Sequence, residues 1–257
     1  MCKVRMEKKM NDELITGKNP VIQAIKSGRT IYKVLIAEQL NRQTENEIRH
    51  LLKESRVPVQ KVPRKKLDDL SSSKHQGIIA FVADYSYASL QEVLHKAKAA
   101  NEPPFLIILD ELEDPHNLGA ILRTADATGA HGVIIPKHRA VGLTETVAKA
   151  SAGAIEHVPV VRVTNIAKTI DELKDQHIWV VGTDEKGSDD YRTLDGETAL
   201  AIVIGNEGRG ISRLVKEKCD WLVHIPMQGS ISSLNASVAA GVLMFEIYRK
   251  RNPFGDK

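Results

Sequence analysis

Five polar residues stand where apolar runs open into turns: Asn117, Arg123, Glu207, Ser233 and Asn235. They lie in three segments, LIILDELEDPHNLGAILRTADATGAHGVII (106–135), ALAIVIGNEGRGIS (199–212) and LVHIPMQGSISSLNASVAAGVLMFEIYR (222–249). Each is a buried-looking run followed by a Gly-, Asn- or Ser-rich turn and then a helical pattern. In an open parallel sheet a ligand sits beyond the carboxyl ends of the strands, so the three loops should converge on one site. Amide, guanidinium, carboxylate and hydroxyl groups, with many loop N–H and C=O groups, equip such a site to hydrogen-bond a ligand.

Other chemistries lack their residues. GNEGRG (205–210) follows the apolar run AIVI and precedes a helix, but its spacing is G-x-x-G-x-G rather than the dinucleotide fingerprint. No acidic residue stands about 20 positions further on to hold a ribose, which argues against NAD. These glycines let backbone approach a ligand closely, or simply make a tight strand-to-helix turn. No glycine loop ends in Lys and Ser or Thr, so a triphosphate cradle is missing. Neither a nucleophile elbow nor a pair of catalytic carboxylates is present, and His116 stands alone beside Asn117, so no metal is expected. Asp110, Glu111, Glu113 and Asp114 read as an exposed loop and a helix-start bias. Cys2 and Cys219 are too few for a disulfide framework or a Cys-rich metal site and read as structurally incidental.

The elements that must position the five residues follow from periodicity. Strands are predicted at 105–109, 132–135, 157–161, 178–182, 200–204 and 222–225 with helices between them, which implies a mostly parallel sheet covered on both faces. In the last helix Leu234, Val238, Gly241, Phe245 and Tyr248 recur at helical spacing and predict one buried face. Between Asn11 and Asp84 the pattern is shorter. Asn19 is read as a helix cap with Pro20 at the first helical position, KVLIA (33–37) as a strand, about 43–55 as a polar amphipathic helix, and 57–63 as extended. A short helix from about Arg64 and a strand at 77–83 complete a small α/β sandwich. Residues 1–10 read as a flexible N terminus, 11–85 as the first domain, 86–104 as a helical connector ending at a Pro-Pro break, and 105–257 as the second domain.

Composition bounds the class. A chain of 257 residues, 42% hydrophobic and 27% charged, is that of an ordinary soluble globular protein. No apolar run approaches a membrane span, and MCKVRMEKKMNDE lacks the apolar core of a signal peptide, so the chain reads as cytoplasmic. The net charge of +3 conceals an asymmetry: residues 1–75 hold 17 Lys and Arg against 9 Asp and Glu, a balance of +8, and the rest holds 19 against 24, a balance of −5. A basic module joined to a mildly acidic one suggests that an anionic polymer is gripped at one end and worked on at the other; a solvated charged face is the alternative.

The three segments resemble the signature motifs of the SpoU/TrmH family of RNA ribose 2′-O-methyltransferases, within the SPOUT superfamily. The matching stretches are NLGAILR (117–123), IGNEGRGIS (204–212) and IPMQGSISSLNASVAAG (225–241), and the resemblance covers about residues 104–250. The N-terminal segment, with GKNPVIQAI at 17–25, is similar to the small ribosomal-protein-like RNA-binding domain of the bacterial 23S rRNA guanosine-2′-O-methyltransferase branch.

The resemblance implies a C-terminal deep trefoil knot, S-adenosylmethionine bound in that knot, and a homodimer with the site near the subunit interface. Carried over residue by residue, Gly205, Ile225 and Leu234 hold the cofactor, Thr183 and Met227 line the same pocket, and Asn117, Arg123, Glu207, Ser233 and Asn235 stand at the transfer site. Family proposals give proton handling to the arginine matching Arg123. A guanidinium stays protonated to a pKa above about 12, so orienting the hydroxyl and binding the adjacent phosphate suits it better. Lys18, Arg64, Lys65 and Lys66 are the RNA-binding candidates in the cationic segment. The implied substrate is a guanosine in 23S rRNA. Alternatives are a tRNA ribose methyltransferase and a non-catalytic RNA-binding ribosome-assembly factor.

Overall fold

The computed structural model describes residues 12–26, 29–53, 55, 57–72, 74–83, 85–230 and 233–254; the expected flexible terminus, residues 1–10, lies outside them. The chain divides into two compact units, Met1–Ser86 and Tyr87–Lys257. Among the described residues no helix is long and apolar enough to cross a membrane.

The first unit has strands β1 (Asp12–Thr16), β2 (Ile31–Ala37), β3 (Val59–Val62) and β4 (Ile78–Ala83), with helices α1 (Lys18–Lys26), α2 (Arg42–Leu51) and α3 (Arg64–Leu70). The sheet order is β1-β4-β2-β3. β4 runs antiparallel to β1 and β2, and β2 runs parallel to β3. Alternation along the strands serves two cores: Val34, Ile36, Ile78, Ala80 and Val82 pack with Val21, Ala24, Ile48 and Leu52 of the α1–α2 layer, while Leu35, Ala37 and Ile79 pack with Val62 and Leu67 of α3. Sequence periodicity misses β1, which is held by pairing with the distant β4. Asn19 is not a cap: α1 begins at Lys18, after Gly17 at φ +99°, and the Lys18 amide donates to Gln76 Oε1 at 3.3 Å. A residue 58 positions away supplies the cap that local reading assigned to Asn19. α2 is capped by Asn41, whose side chain accepts from the Gln43 amide at 2.7 Å, and ends at Leu51, short of the predicted 55.

The second unit contains α4 (Leu90–Ala100), β5 (Phe105–Leu109), α5 (Pro115–Ala127), β6 (Gly132–Pro136), α6 (Glu145–Ala150), β7 (Val160–Val163), α7 (Ile166–Asp175), β8 (Trp179–Thr183), β9 (Asp189–Asp190), β10 (Leu200–Ile204), α8 (Arg213–Lys218), β11 (Trp221–His224) and α9 (Ala236–Arg251). Its seven strands lie in the order β7-β6-β5-β10-β8-β11-β9, and every pairing is parallel. Central strands β5 (FLIIL) and β10 (LAIVI) are buried at every position, as a sheet covered on both sides requires. One face of the sheet, through Leu106, Ile108, Ala201 and Val203, packs on α4, α7 and α8. The opposite face meets α5 and α9, with α6 packed on α5; Leu118, Ile121, Val147, Leu243 and Ile247 of these helices are buried.

Three predictions about this unit are corrected. The segment 86–104 is not a connector: Leu90, Val93 and Ala97 of α4 are buried, Leu90 and Val93 within the core cluster, and the Ala88 amide donates to Val160 O at 2.9 Å. The unit therefore begins at Tyr87. β7 starts at Val160 rather than 157 because a 3-10 turn at Ala154–Glu156 and Pro159 delay it. In α9 the buried face is Ala236, Ala240, Leu243, Met244 and Ile247, whereas Val238, Phe245 and Tyr248 of the predicted face are exposed and Leu234 precedes the helix.

α5 and α6 cross closely at Gly119, where an added Cβ would lie 2.3 Å from Ala150 Cβ. Gly119→Ala is expected to destabilise the protein by about 1–3 kcal/mol through overpacking, despite its helix-favouring side chain. Urea denaturation checks this, and an unchanged midpoint would mean that α6 moves freely.

Candidate active site

The carboxyl ends of β8, β10 and β11 open into a hollow of about 540 Å³, within the range of small-molecule sites. Its walls include the backbone and side chains of Thr183, Gly205, Ile225, Met227 and Leu234, together with Glu207 and Ser233. All five residues assigned to the cofactor from the resemblance thus line one cavity. At Gly205 the wall is packed against residues 210–211: a Cβ there would lie 2.2 Å from Gly210 C and 2.3 Å from Ile211 N. Glycine is required because backbone fills the place of a side chain.

The loop 205–210 is closed on itself and pinned from outside. Asn206 and Gly210 exchange backbone hydrogen bonds of 3.1 and 2.8 Å, with Gly210 at φ +66°. The Asn206 side chain donates to Glu111 O at 3.0 Å and accepts from the Gly208 amide at 2.9 Å. Asp110, expected in an exposed loop, is 5% exposed and accepts from the Ser212 amide at 2.8 Å, tying the end of β5 to the start of α8. Asp114 caps α5 by accepting from the His116 amide at 2.9 Å, with Pro115 in the first turn, so Asn117 lies inside that helix rather than capping it.

That placement aims Asn117 at the loop. Its amide donates to Glu207 Oε1. Asn235 donates to the same oxygen at 2.9 Å and to Asn117 Oδ1 at 3.1 Å. Asn235 is also the cap of α9, its Oδ1 accepting from the Ser237 and Val238 amides at 3.0 and 3.4 Å. Three residues drawn from three sequence segments therefore form one hydrogen-bonded cluster, with Ser233 at the rim of the adjoining hollow. Arg123 does not join it. Six positions beyond Asn117 on α5, it is exposed and has no hydrogen bond or ion pair among the described residues.

Two further groups shape the cavity. Lys216 forms an ion pair with Asp184, both lining the wall. Burial opposes ionisation of Asp184, but hydrogen bonds from the Lys216 side chain and the Lys186 amide hold its carboxyl below the usual range. Thr183 is less free than a sequence reading suggests, because its hydroxyl donates to Val203 O at 3.0 Å. Asn206, Asp110 and Asp184 were missed by sequence reasoning; the one available signal was a carboxylate placed directly after a fully apolar strand, as Asp110 follows FLIIL. Among the described residues no cluster of His, Cys, Asp or Glu could hold a metal ion. Cys219 is half-buried and its thiol is pushed up to about 12 by burial, which makes it unreactive.

Residues 104–245 match the SpoU rRNA Methylase family, and residues 14–88 match the family described as RNA 2′-O ribose methyltransferase substrate binding. The chain belongs to the SpoU/TrmH family of RNA 2′-O-ribose methyltransferases. A Bacillus subtilis relative named for the TrmH family of tRNA/rRNA methyltransferases, YacO, is 57% identical over 95% of this chain and 98% of its own. Among solved structures, the SpoU methyltransferase AviRb from Streptomyces viridochromogenes, in complex with AdoMet, superimposes with a TM-score of 0.79 at 29% identity, covering 94% of this chain and 91% of that one. An AdoMet-bound rRNA methyltransferase from Sinorhizobium meliloti gives 0.73 at 25% identity, over 94% and 88%.

The cluster makes stability at this site depend on Asn235. Asn235→Ala removes the α9 cap and leaves buried Asn117 with fewer partners, and should cost about 1–2 kcal/mol. Thermal and urea unfolding measure it; a loss below a few tenths would show that water replaces the cluster without penalty.

Proposed function

We propose that the protein methylates a ribose 2′-hydroxyl of RNA, using S-adenosylmethionine, and that its target is a guanosine of 23S rRNA. The observation that carries this reading is the Asn117–Glu207–Asn235 cluster at the edge of the hollow formed by Gly205, Ile225 and Leu234. The hollow fits the cofactor chemically. Ile225, Leu234 and Leu243 offer apolar walls to an adenine, exposed backbone near Gly205 offers edge-on hydrogen bonds, and Lys186 and Asp184 offer charge to an amino-acid tail. When bound, S-adenosylmethionine supplies a methyl group activated by its sulfonium. What is left to the chain is mostly alignment, which is worth up to about 7–11 kcal/mol in ideal cases.

The roles divide as follows. Glu207 holds the two asparagine amides in one orientation, so that Asn117 and Asn235 present a fixed polar edge beside the hollow. Arg123, exposed and unpaired, binds the phosphate next to the target and orients its hydroxyl. In the first unit Arg64, Lys65 and Lys66 stand exposed at the first turn of α3 and grip RNA phosphates. Lys18 is partly spent on an ion pair with Glu47 at 2.9 Å, although it shares a hollow of about 330 Å³ with Arg64 and Gln76. Support for rRNA comes from the basic substrate-binding unit and from the named activity of the Sinorhizobium protein, matched along most of its length.

Two features of the resemblance enter the same reading. A second copy packs on the exposed stripe Val238–Phe245–Tyr248 of α9, a helix that borders α5 where a Cβ added at Gly241 would lie 4.0 Å from the Thr124 methyl, next to Arg123. The stripe is apolar at helical spacing, which supports burial in a homodimer; a monomer in sedimentation equilibrium would remove it. The loop at Gly187 packs tightly on β11, where an added Cβ would lie 2.7 Å from Val223 C; the trefoil knot itself enters from the family resemblance. An experimental chain trace through 183–245 tests it.

Mass mapping of ribose methylation on rRNA and tRNA incubated separately with the protein and cofactor tests the target. Methylation of tRNA alone would replace it, and methylation of neither would leave an RNA-binding assembly factor. Arg123→Ala should abolish transfer while cofactor affinity by calorimetry stays within a few-fold, because Arg123 lies outside the hollow; near-normal turnover would make it structural. Replacing Arg64, Lys65 and Lys66 with Glu should weaken binding of rRNA fragments and flatten the log–log salt dependence by roughly 0.7–0.9 per lost phosphate contact. Filter binding across a salt series reads the slope, and an unchanged slope would reduce the three to a solvated face.

A further inference from the structure

The chain's two tryptophans stand together and exposed, outside the lining of the candidate pocket. Trp179 opens β8 and Trp221 opens β11, at the amino ends of strands whose carboxyl ends bear the candidate site. Their ring centroids are 4.8 Å apart at 44°, and they are 46% and 42% exposed. Large aromatic side chains seldom stay paired on a surface without a partner. Beside them lies a hollow of about 420 Å³ lined also by Asp189, Asp195, Thr193 and Thr198, with no Lys, Arg or His among its walls. The Asp189 carboxylate takes the Ser188 hydroxyl at 2.8 Å and that of Asp195 takes the Glu197 amide at 2.9 Å; neither forms an ion pair among the described residues.

Cations around the hollow are occupied. Arg192 is paired with Asp190, and this bond lowers the Asp190 carboxyl to about 2. Lys250 donates to the carbonyls of Arg192 and Leu194. Arg251, close enough to Asp195 to feel its charge, spends its guanidinium on the carbonyls of Gly196, Thr198 and Pro103. What remains is two indole faces next to two carboxylates.

We propose that this hollow is a docking site for a basic protein segment, an arginine or lysine side chain lying against the Trp179–Trp221 pair with its charge answered by Asp189 and Asp195. Indole faces attract guanidinium and ammonium groups, and carboxylates add a fork that a guanidinium fits. An RNA strand is disfavoured, because its phosphates meet the same carboxylates. None of Trp179, Trp221, Asp189 and Asp195 lines the candidate cofactor hollow, although Val223 borders both hollows.

Because these are the only tryptophans in the chain, tryptophan emission of the full protein, excited selectively over tyrosine, reads this place alone. The full protein is titrated with an end-capped hexapeptide alternating Arg and Gly, with its Glu and Gly counterpart, and with a uridine hexanucleotide. The Arg peptide should give a saturable emission change, and the other two none. The double variant Asp189→Asn and Asp195→Asn, which keeps a side-chain acceptor at both positions, should weaken the Arg peptide by at least about threefold, with an unchanged thermal midpoint showing that the fold persists. No response to the Arg peptide at millimolar concentration, or an equal response in the double variant, would overturn the proposal. A saturable response to the hexanucleotide with the Arg peptide silent would also overturn it and assign the pair to RNA.

Discussion

One carboxylate oxygen, Glu207 Oε1, receives the side-chain amides of both Asn117 and Asn235. Asn117 is buried, so its amide cannot turn to water if this partner is lost, and an unsatisfied buried amide costs about 1–3 kcal/mol. Asn235 has a second obligation, since its oxygen ends the unpaired amides at the start of α9. The same contact therefore sets the loop after β10, the first turn of α5 and the entry to α9. Movement in any of the three disturbs the others.

A second constraint keeps this cluster beside the cavity. At Gly205 the chain passes so near Gly210 and Ile211 that only hydrogen fits, and Asn206 and Asp110 fasten the crossing to the end of β5. Backbone forms much of the cavity wall in consequence, and backbone amides and carbonyls are the groups that cannot rotate away from a ligand. Rigidity of this kind suits a reaction whose main demand on the protein is alignment.

The two units divide charge as well as structure. The first is cationic and places Arg64, Lys65 and Lys66 on an exposed helix start. The second is mildly acidic, and its carboxylates are put to local use: Asp114 as a helix cap, Asp184 in an ion pair, Asp190 in another. The paired tryptophans stand apart from both patterns, at the end of the sheet opposite the cavity.

Periodicity alone was enough for the alternating α/β order, the apolar strands β5, β6 and β10, and the presence of a smaller α/β sandwich before them, because strands buried on both faces leave uninterrupted apolar runs. The spacing of Asn117, Glu207 and Asn235 within three strand-to-loop segments was also legible. Contacts distant in sequence decided the rest. The cap of α1 comes from Gln76, β1 exists through β4, and α4 belongs to the second core rather than to a connector, all of which depend on partners that no local window contains. Helical spacing marked an apolar stripe on α9 but could not say that α9 packs by its small-residue and Leu243–Ile247 side and leaves Phe245 outward. That choice, the strand order that sets β10 between β5 and β8, and the burial of Asp110 are tertiary facts, because they follow from which faces close on one another and not from the order in which the residues occur.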